Sequence, residues 1–167
     1  APATQANWWD KWGQPEYGGT ITIRTSSLEP DWDTTNIISE NNSYWYDTLW
    51  NMDFTVDRDI WGFQYNFLPE EYTTGCLAEN WEVVDPQTVV VNLRHGIKWQ
   101  NKPPVNGREF TAYDIEAHYK RDGIWNNPMY IGISRVNEWD SVTALDTYTV
   151  QFKFKIPSAT WFLYISD

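Results

Sequence analysis

The sequence predicts an α+β fold: a mixed, largely antiparallel sheet with a few helices. Three stretches carry that prediction. Residues 77–93, LAENWEVVDPQTVVVNL, are two strand-like runs around an Asp-Pro-Gln turn, the second rich in β-branched residues. Residues 141–155, SVTALDTYTVQFKFK, read as a hairpin with one wet face. In it Tyr148, Val150, Phe152 and Phe154 alternate with Thr149, Gln151, Lys153 and Lys155. Residues 111–123, TAYDIEAHYKRDG, carry the start and stop signals of a helix.

Each element follows in order. Residues 1–19 are polar, broken by Pro and Gly, and hold Trp8, Trp9 and Trp12; they read as a tail that wraps onto the body. TITIRT, Thr20–Thr25, alternates Ile21 and Ile23 with Thr22 and Arg24, which predicts a half-buried strand. Near-helical spacing of Tyr44, Thr48 and their aromatic neighbours predicts a helix over Ser43–Trp50, capped by Asn42 or Ser43. Residues 54–75 mix apolar pairs with charges and are read as one short strand and a loop. Ile97–Trp99 is a short extended piece, and Asn106-Gly107 a turn that tolerates positive φ.

In the helix that follows, Thr111 is the N-cap and Asp114 the residue that reaches back to it. Ala112, Ile115 and Tyr119 share one face, Glu116 and Lys120 form an i,i+4 pair, and Gly123 ends the helix. After the 141–155 hairpin, IPSATWFLYISD predicts a final helix with Ser158 as its cap.

Composition excludes several functions. The 167 residues carry 23 acidic and 12 basic side chains, a formal net charge of −11. Such a surface repels phosphate backbones and anionic membranes, which argues against nucleic acid as a partner. No apolar run is long enough to span a bilayer. The N-terminus APATQANWWDKWG lacks signal-peptide character, so an exported form would have had its signal removed. The single cysteine, Cys76, precludes an intramolecular disulfide and reads as a small packed residue.

Catalytic patterns are missing too. His95 sits in a turn and His118 on the helix, neither within a ligand cluster, so no metal is expected. There is no nucleophile elbow and no phosphate loop, and Glu70-Glu71 beside Pro69 read as solvated. No enzyme activity and no cofactor are expected. The aromatic residues, 17% of the chain, fit both a core and a surface for sugar or peptide.

The order of motifs resembles one family. YGGTITIRTSS comes first, then Leu77-Ala78-Glu79-Asn80-Trp81-Glu82, where the family has LAESWE. Leu93-Arg94-His95-Gly96-Ile97-Lys98-Trp99 stands where the family has LRKGVKW, and Thr111-Ala112-Tyr113-Asp114-Ile115 where it has TAEDV. Asp146–Phe154 resembles the later DDYTVVFKL strand. The match spreads over residues 17–163 and is similar to the N-terminal part of the family 5 extracellular solute-binding proteins. These are peptide-, nickel- and oligosaccharide-binding receptors of ABC importers. Two departures are a longer turn, QNKPPVNGREF, and a longer Phe54–Thr74 loop.

The resemblance implies the N-terminal subdomain of a two-lobed, type II periplasmic-binding-protein fold. Residues 1–19 would be the tether, 20–42 the first strand and loop of lobe one, and 43–167 its small α+β subdomain. It implies an extracytoplasmic, lipid-anchored protein that delivers a peptide or oligosaccharide to permease subunits. By position the ligand would meet Ile38, Ser39, Glu40 and Asn41, from the loop after the first strand. Trp125 and Tyr130, after the capped helix, would also meet it. A self-contained carbohydrate-binding module is the alternative reading. A glycan hydrolase would need two carboxylates facing each other across a cleft, and the sequence marks no such pair.

Overall fold

A computed structural model describes residues 7–13, 16–22, 24, 46–62, 69–121, 139–157 and 161–165. Its centre is a four-stranded antiparallel sheet of β3 (Ala78–Asp85), β4 (Thr88–Leu93), β5 (Trp139–Ala144) and β6 (Thr149–Phe154), in the order β3-β4-β6-β5. A small antiparallel pair stands beside it, β1 (Trp50–Met52) with β2 (Thr73–Gly75). Helix α1 is Ala112–Tyr119, and α2 is the four-residue Phe162–Ile165.

Alternation decides which face of the sheet is dry. Val89, Val91 and Leu93 of β4 are buried, as are Val150, Phe152 and Phe154 of β6. The register sets Val89 beside Phe152 and Val91 beside Val150, so the two apolar rows stack. Burying each such side chain contributes roughly 1.5–3 kcal/mol. The opposite face is polar: Asn92 Nδ2 donates to Asn80 Oδ1 at 2.7 Å, and Thr149 Oγ1 to Asn92 Oδ1 at 3.3 Å. At the β3–β4 turn the Asp85 carboxylate accepts the Gln87 amide at 2.7 Å. Gln87 Nε2 then donates to the Lys155 carbonyl at 2.8 Å, tying one hairpin to the other.

Helix α1 covers the dry face near β5 and β6. Thr111 and Asp114 form the expected capping box, with Asp114 Oδ2 accepting from the Thr111 amide at 3.0 Å. Ala112, Ile115 and Tyr119 are buried, as their common face requires. The Tyr119 ring lies 5.5 Å from Phe152 and 5.4 Å from Trp139. Lys120 Nζ meets Glu116 Oε1 at 2.9 Å on the outer face. The approach to α1 is a looped pair held by Lys98 opposite Glu109. Its tip is Asn106-Gly107, with φ of 49° and 71°, the left-handed turn that the dipeptide suits.

The other half of the dry face is covered by aromatics. Trp50 is 2% exposed and lies 5.0 Å from Trp81, 5.9 Å from Trp161 and 4.5 Å from Phe162.

Two expectations need correction. The helix over Ser43–Trp50 does not form in its described part: residues 46–49 are irregular and Trp50 begins β1. The Leu49 carbonyl accepts both the Cys76 and Ala78 amides at 2.9 Å, so pairing across the chain displaces the helical bond. The strand at Thr20–Thr25 is not found in Thr20, Ile21, Thr22 or Arg24, all exposed, with Ile21 at 87%. A strand needs a partner ladder and a surface to cover, and no described strand runs beside these residues. Helix α1 ends at Tyr119; Gly123 and Ser158 lie outside the described residues. Cys76 is half-buried.

Candidate functional site

Ile38, Ser39, Glu40, Asn41, Trp125 and Tyr130 all lie outside the described residues. What the structure defines is how the two segments that carry them are rooted. The segment before β1 is pinned where it reaches the sheet. The Thr48 carbonyl accepts the Leu77 amide at 3.0 Å, and the Leu49 carbonyl takes its two amides from the β2–β3 link. The segment between α1 and β5 has Tyr119 at one end and Trp139 at the other, and those rings touch.

Helix α2 joins the two roots. Phe162 stacks on Trp50 with planes 10° apart, and its carbonyl accepts the Trp50 indole N–H at 3.3 Å. The Ile165 carbonyl accepts the Tyr119 hydroxyl at 3.5 Å. A short helix at the chain's end thus touches the base of both candidate ligand segments. Sequence reading sees a helix there but not this bridging role, because partners 112 residues apart leave no local signal.

A polar cleft of about 520 Å³ opens at the end of the four-stranded sheet, lined by Glu79, Asn80, Asn92, His95, Asp146 and Thr149 among others. His95 stacks on Tyr148 at 3.7 Å. The Tyr148 hydroxyl donates to Glu109 Oε1 at 2.9 Å, and the same oxygen accepts the Gly96 amide at 2.7 Å. The Gly96 amide, and then Tyr148, hold the Glu109 carboxyl below its ordinary range. The bond to Glu109, with some desolvation, raises the Tyr148 phenol. Asp146 is lowered chiefly by the Tyr148 amide. These directions leave the two carboxyls ionised and the phenol protonated near neutral pH, where they serve as hydrogen-bonding groups. The sequence does not single out Glu109, because its partner Tyr148 lies 39 residues away and leaves no local signal.

A second contact surface lies at the other end of the described chain. The Trp8 indole donates to the Phe54 carbonyl at 3.1 Å, and the Arg58 guanidinium lies 4.9 Å over the Trp8 ring. The expected wrapping of the leading residues onto the body holds for this stretch.

Among the described residues no group of three or more His, Cys, Asp and Glu side chains could hold a metal ion. Among them, too, no helix is long and apolar enough to cross a membrane.

Residues 73–167, from β2 to the end of the chain, match the family model of the bacterial extracellular solute-binding proteins, family 5, middle part. Among solved structures the chain is similar to the ABC transporter-associated periplasmic binding protein DppA from Helicobacter pylori, in complex with the peptide STSA. Identity is 21%, the TM-score is 0.56, and the match covers 80% of this chain and 27% of that one. It is also similar to MoaA from A. tumefaciens R10 in complex with mannopinic acid, at 20% identity and a TM-score of 0.56. That match covers 81% of this chain and 25% of the other. These likenesses concern the fold. The chain spans about a quarter of the length of either protein. Among curated proteins nothing matches it.

Proposed function

Because the chain belongs to the bacterial extracellular solute-binding proteins of family 5, we propose that it serves an ABC importer as part of the substrate-binding component. It works outside the cytoplasm, captures a peptide or an oligosaccharide, and hands it to the permease subunits. Residues 1–19 are the tether behind a lipid anchor, 20–42 start lobe one, and 43–167 are its α+β subdomain. The ligand closes two lobes by binding the closed state more tightly, and the importer reads that state.

The observation that carries this reading is the family match over residues 73–167. In this reading the chain holds one side of the ligand site. Backbone groups of Ile38 and Ser39 pair with an extended peptide, and Glu40 meets its amine. Asn41 adds a hydrogen-bonding amide. Trp125 and Tyr130 stack on a sugar or an apolar side chain. Rooting of both segments on α2 supports a shared site. The hydrogen-bonding roles of Glu109, Tyr148 and Asp146 are compatible with binding. A self-contained carbohydrate module is disfavoured, because the capped helix α1 and its α+β setting depart from the all-β sandwich of many such modules.

A thermal-shift screen with short peptides and cello-, xylo- and manno-oligosaccharides tests it. A ligand at a hundredfold over its Kd adds ~2.7 kcal/mol to a complete site. We expect a shift from the two-lobed receptor, lost in Glu40→Gln or Trp125→Ala, and none from residues 1–167 alone. A full shift from residues 1–167 with a sugar would overturn the proposal in favour of the carbohydrate module.

A further inference from the structure

We infer that the tryptophan-rich segment Asn7–Gly13 is a reversible strap, docked through Trp8 on the Asp53–Ile60 turn.

Both partners are prepared for the contact. On the strap, the Asp10 carboxylate accepts the Asn7 amide at 2.7 Å, and a 3₁₀ turn over Asp10–Trp12 follows. That turn holds Trp9 edge-on to Trp8, with centroids 5.6 Å apart. On the receiving side, Asp53 Oδ1 accepts the Thr55 amide at 2.9 Å, and Asp57 Oδ1 accepts the Asp59 amide at 2.9 Å. The Asp53 amide donates to the Tyr72 carbonyl at 2.8 Å, anchoring the turn beside the β1–β2 pair. The turn therefore presents the Phe54 carbonyl with the Arg58 guanidinium near it, and the indole of Trp8 meets them by its N–H and its face.

The dock is narrow. Trp8 and Trp9 are only half-buried and Trp12 is 75% exposed. An open gap of about 640 Å³ separates Lys11 and Trp12 from Asp57 and Asp59. Among the described residues Trp8 meets the body through an indole hydrogen bond and a cation–π contact, and these stand against the backbone entropy of ordering the whole strap. That balance gives a contact which opens and closes. If the leading residues are the tether proposed above, each residue taken up by the dock removes up to ~3.5 Å of reach. Only this consequence rests on that reading.

Trypsin tests the dock directly in the full chain, since Lys11 lies inside the strap and Lys155 is exposed just after β6. The readout is the cleavage rate after Lys11 divided by that after Lys155, which cancels any global loss of stability. Cleavage tracks the open population when opening is fast, so losing either contact raises the ratio roughly fivefold. We expect that rise in Arg58→Ala and in Trp8→Phe, which keeps a ring and loses the N–H, and a larger one in Trp8→Ala, which loses both contacts. A ratio equal to the parent's in both alanine variants would overturn the strap.

Discussion

Trp50 and Phe162 stack face to face at 4.5 Å, and the indole N–H of Trp50 donates to the Phe162 carbonyl. One side chain thus fastens the chain's last described helix to β1 by both its ring and its polar edge. Trp50→Ala removes the ring from a fully enclosed site and leaves that carbonyl without its donor. A loss of about 3–5 kcal/mol is expected in urea denaturation. Trp50→Phe, which keeps a ring of smaller size, should lose clearly less.

Asp114 closes the start of α1 and also pairs with Arg108. Burial alone would raise its carboxyl. Hydrogen bonds from Arg108, the Thr111 amide and the Trp99 indole outweigh that and hold it below the ordinary aspartate range. A carboxyl lowered in the folded state stabilises above its unfolded value, near ~3.9, and the gain fades as pH falls through the folded value. Asp114→Asn should therefore cost about 1–2 kcal/mol at pH 7 through the weakened cap. The difference from the parent should shrink steadily below about pH 4 in denaturation curves taken across pH.

Gly75 ends β2 where the backbone folds onto itself. A Cβ built there lies 2.2 Å from the Ala78 carbonyl oxygen, which is backbone and cannot swing aside. Gly75→Ala should cost about 1–3 kcal/mol by forced displacement. Thermal melts would show the drop. An unchanged melting temperature would mean that the β2–β3 link sits farther from Gly75.

Glu109 and Tyr148 form a pair that reports on itself. Glu109→Gln weakens the hydrogen bond that chiefly raises the phenol and removes the charge that adds to it, so the Tyr148 hydroxyl should titrate closer to its ordinary value. An NMR titration of the assigned Tyr148 ring, from neutral to alkaline pH, checks this. The same variant weakens the acceptor for the Gly96 amide, whose exchange with solvent should speed up.

The parts of this fold legible in its sequence are those decided within a few residues. The 77–93 and 141–155 hairpins follow from alternation and turn chemistry, and α1 from Thr111, Asp114 and the Ala112–Ile115–Tyr119 face. Trp50 was misread because a three-residue strand shows no period, and its partner strand lies beyond a long loop. Ile21 misled for the opposite reason: it has the period of a strand without a neighbour to pair with. For the site, the residues expected to meet a ligand lie outside the described chain, whereas the rings that root their segments were seen only as part of an aromatic surplus.

Residues 122–138 leave from Tyr119 and return at Trp139, whose rings are in contact. The two ends of the segment are therefore held together whatever lies between them. Closing a loop costs only about 0.6 kcal/mol more for each doubling of its length. A change in the length of that segment therefore costs the body little. The Tyr119–Trp139 contact is thus a clasp that holds the two ends of residues 122–138 together.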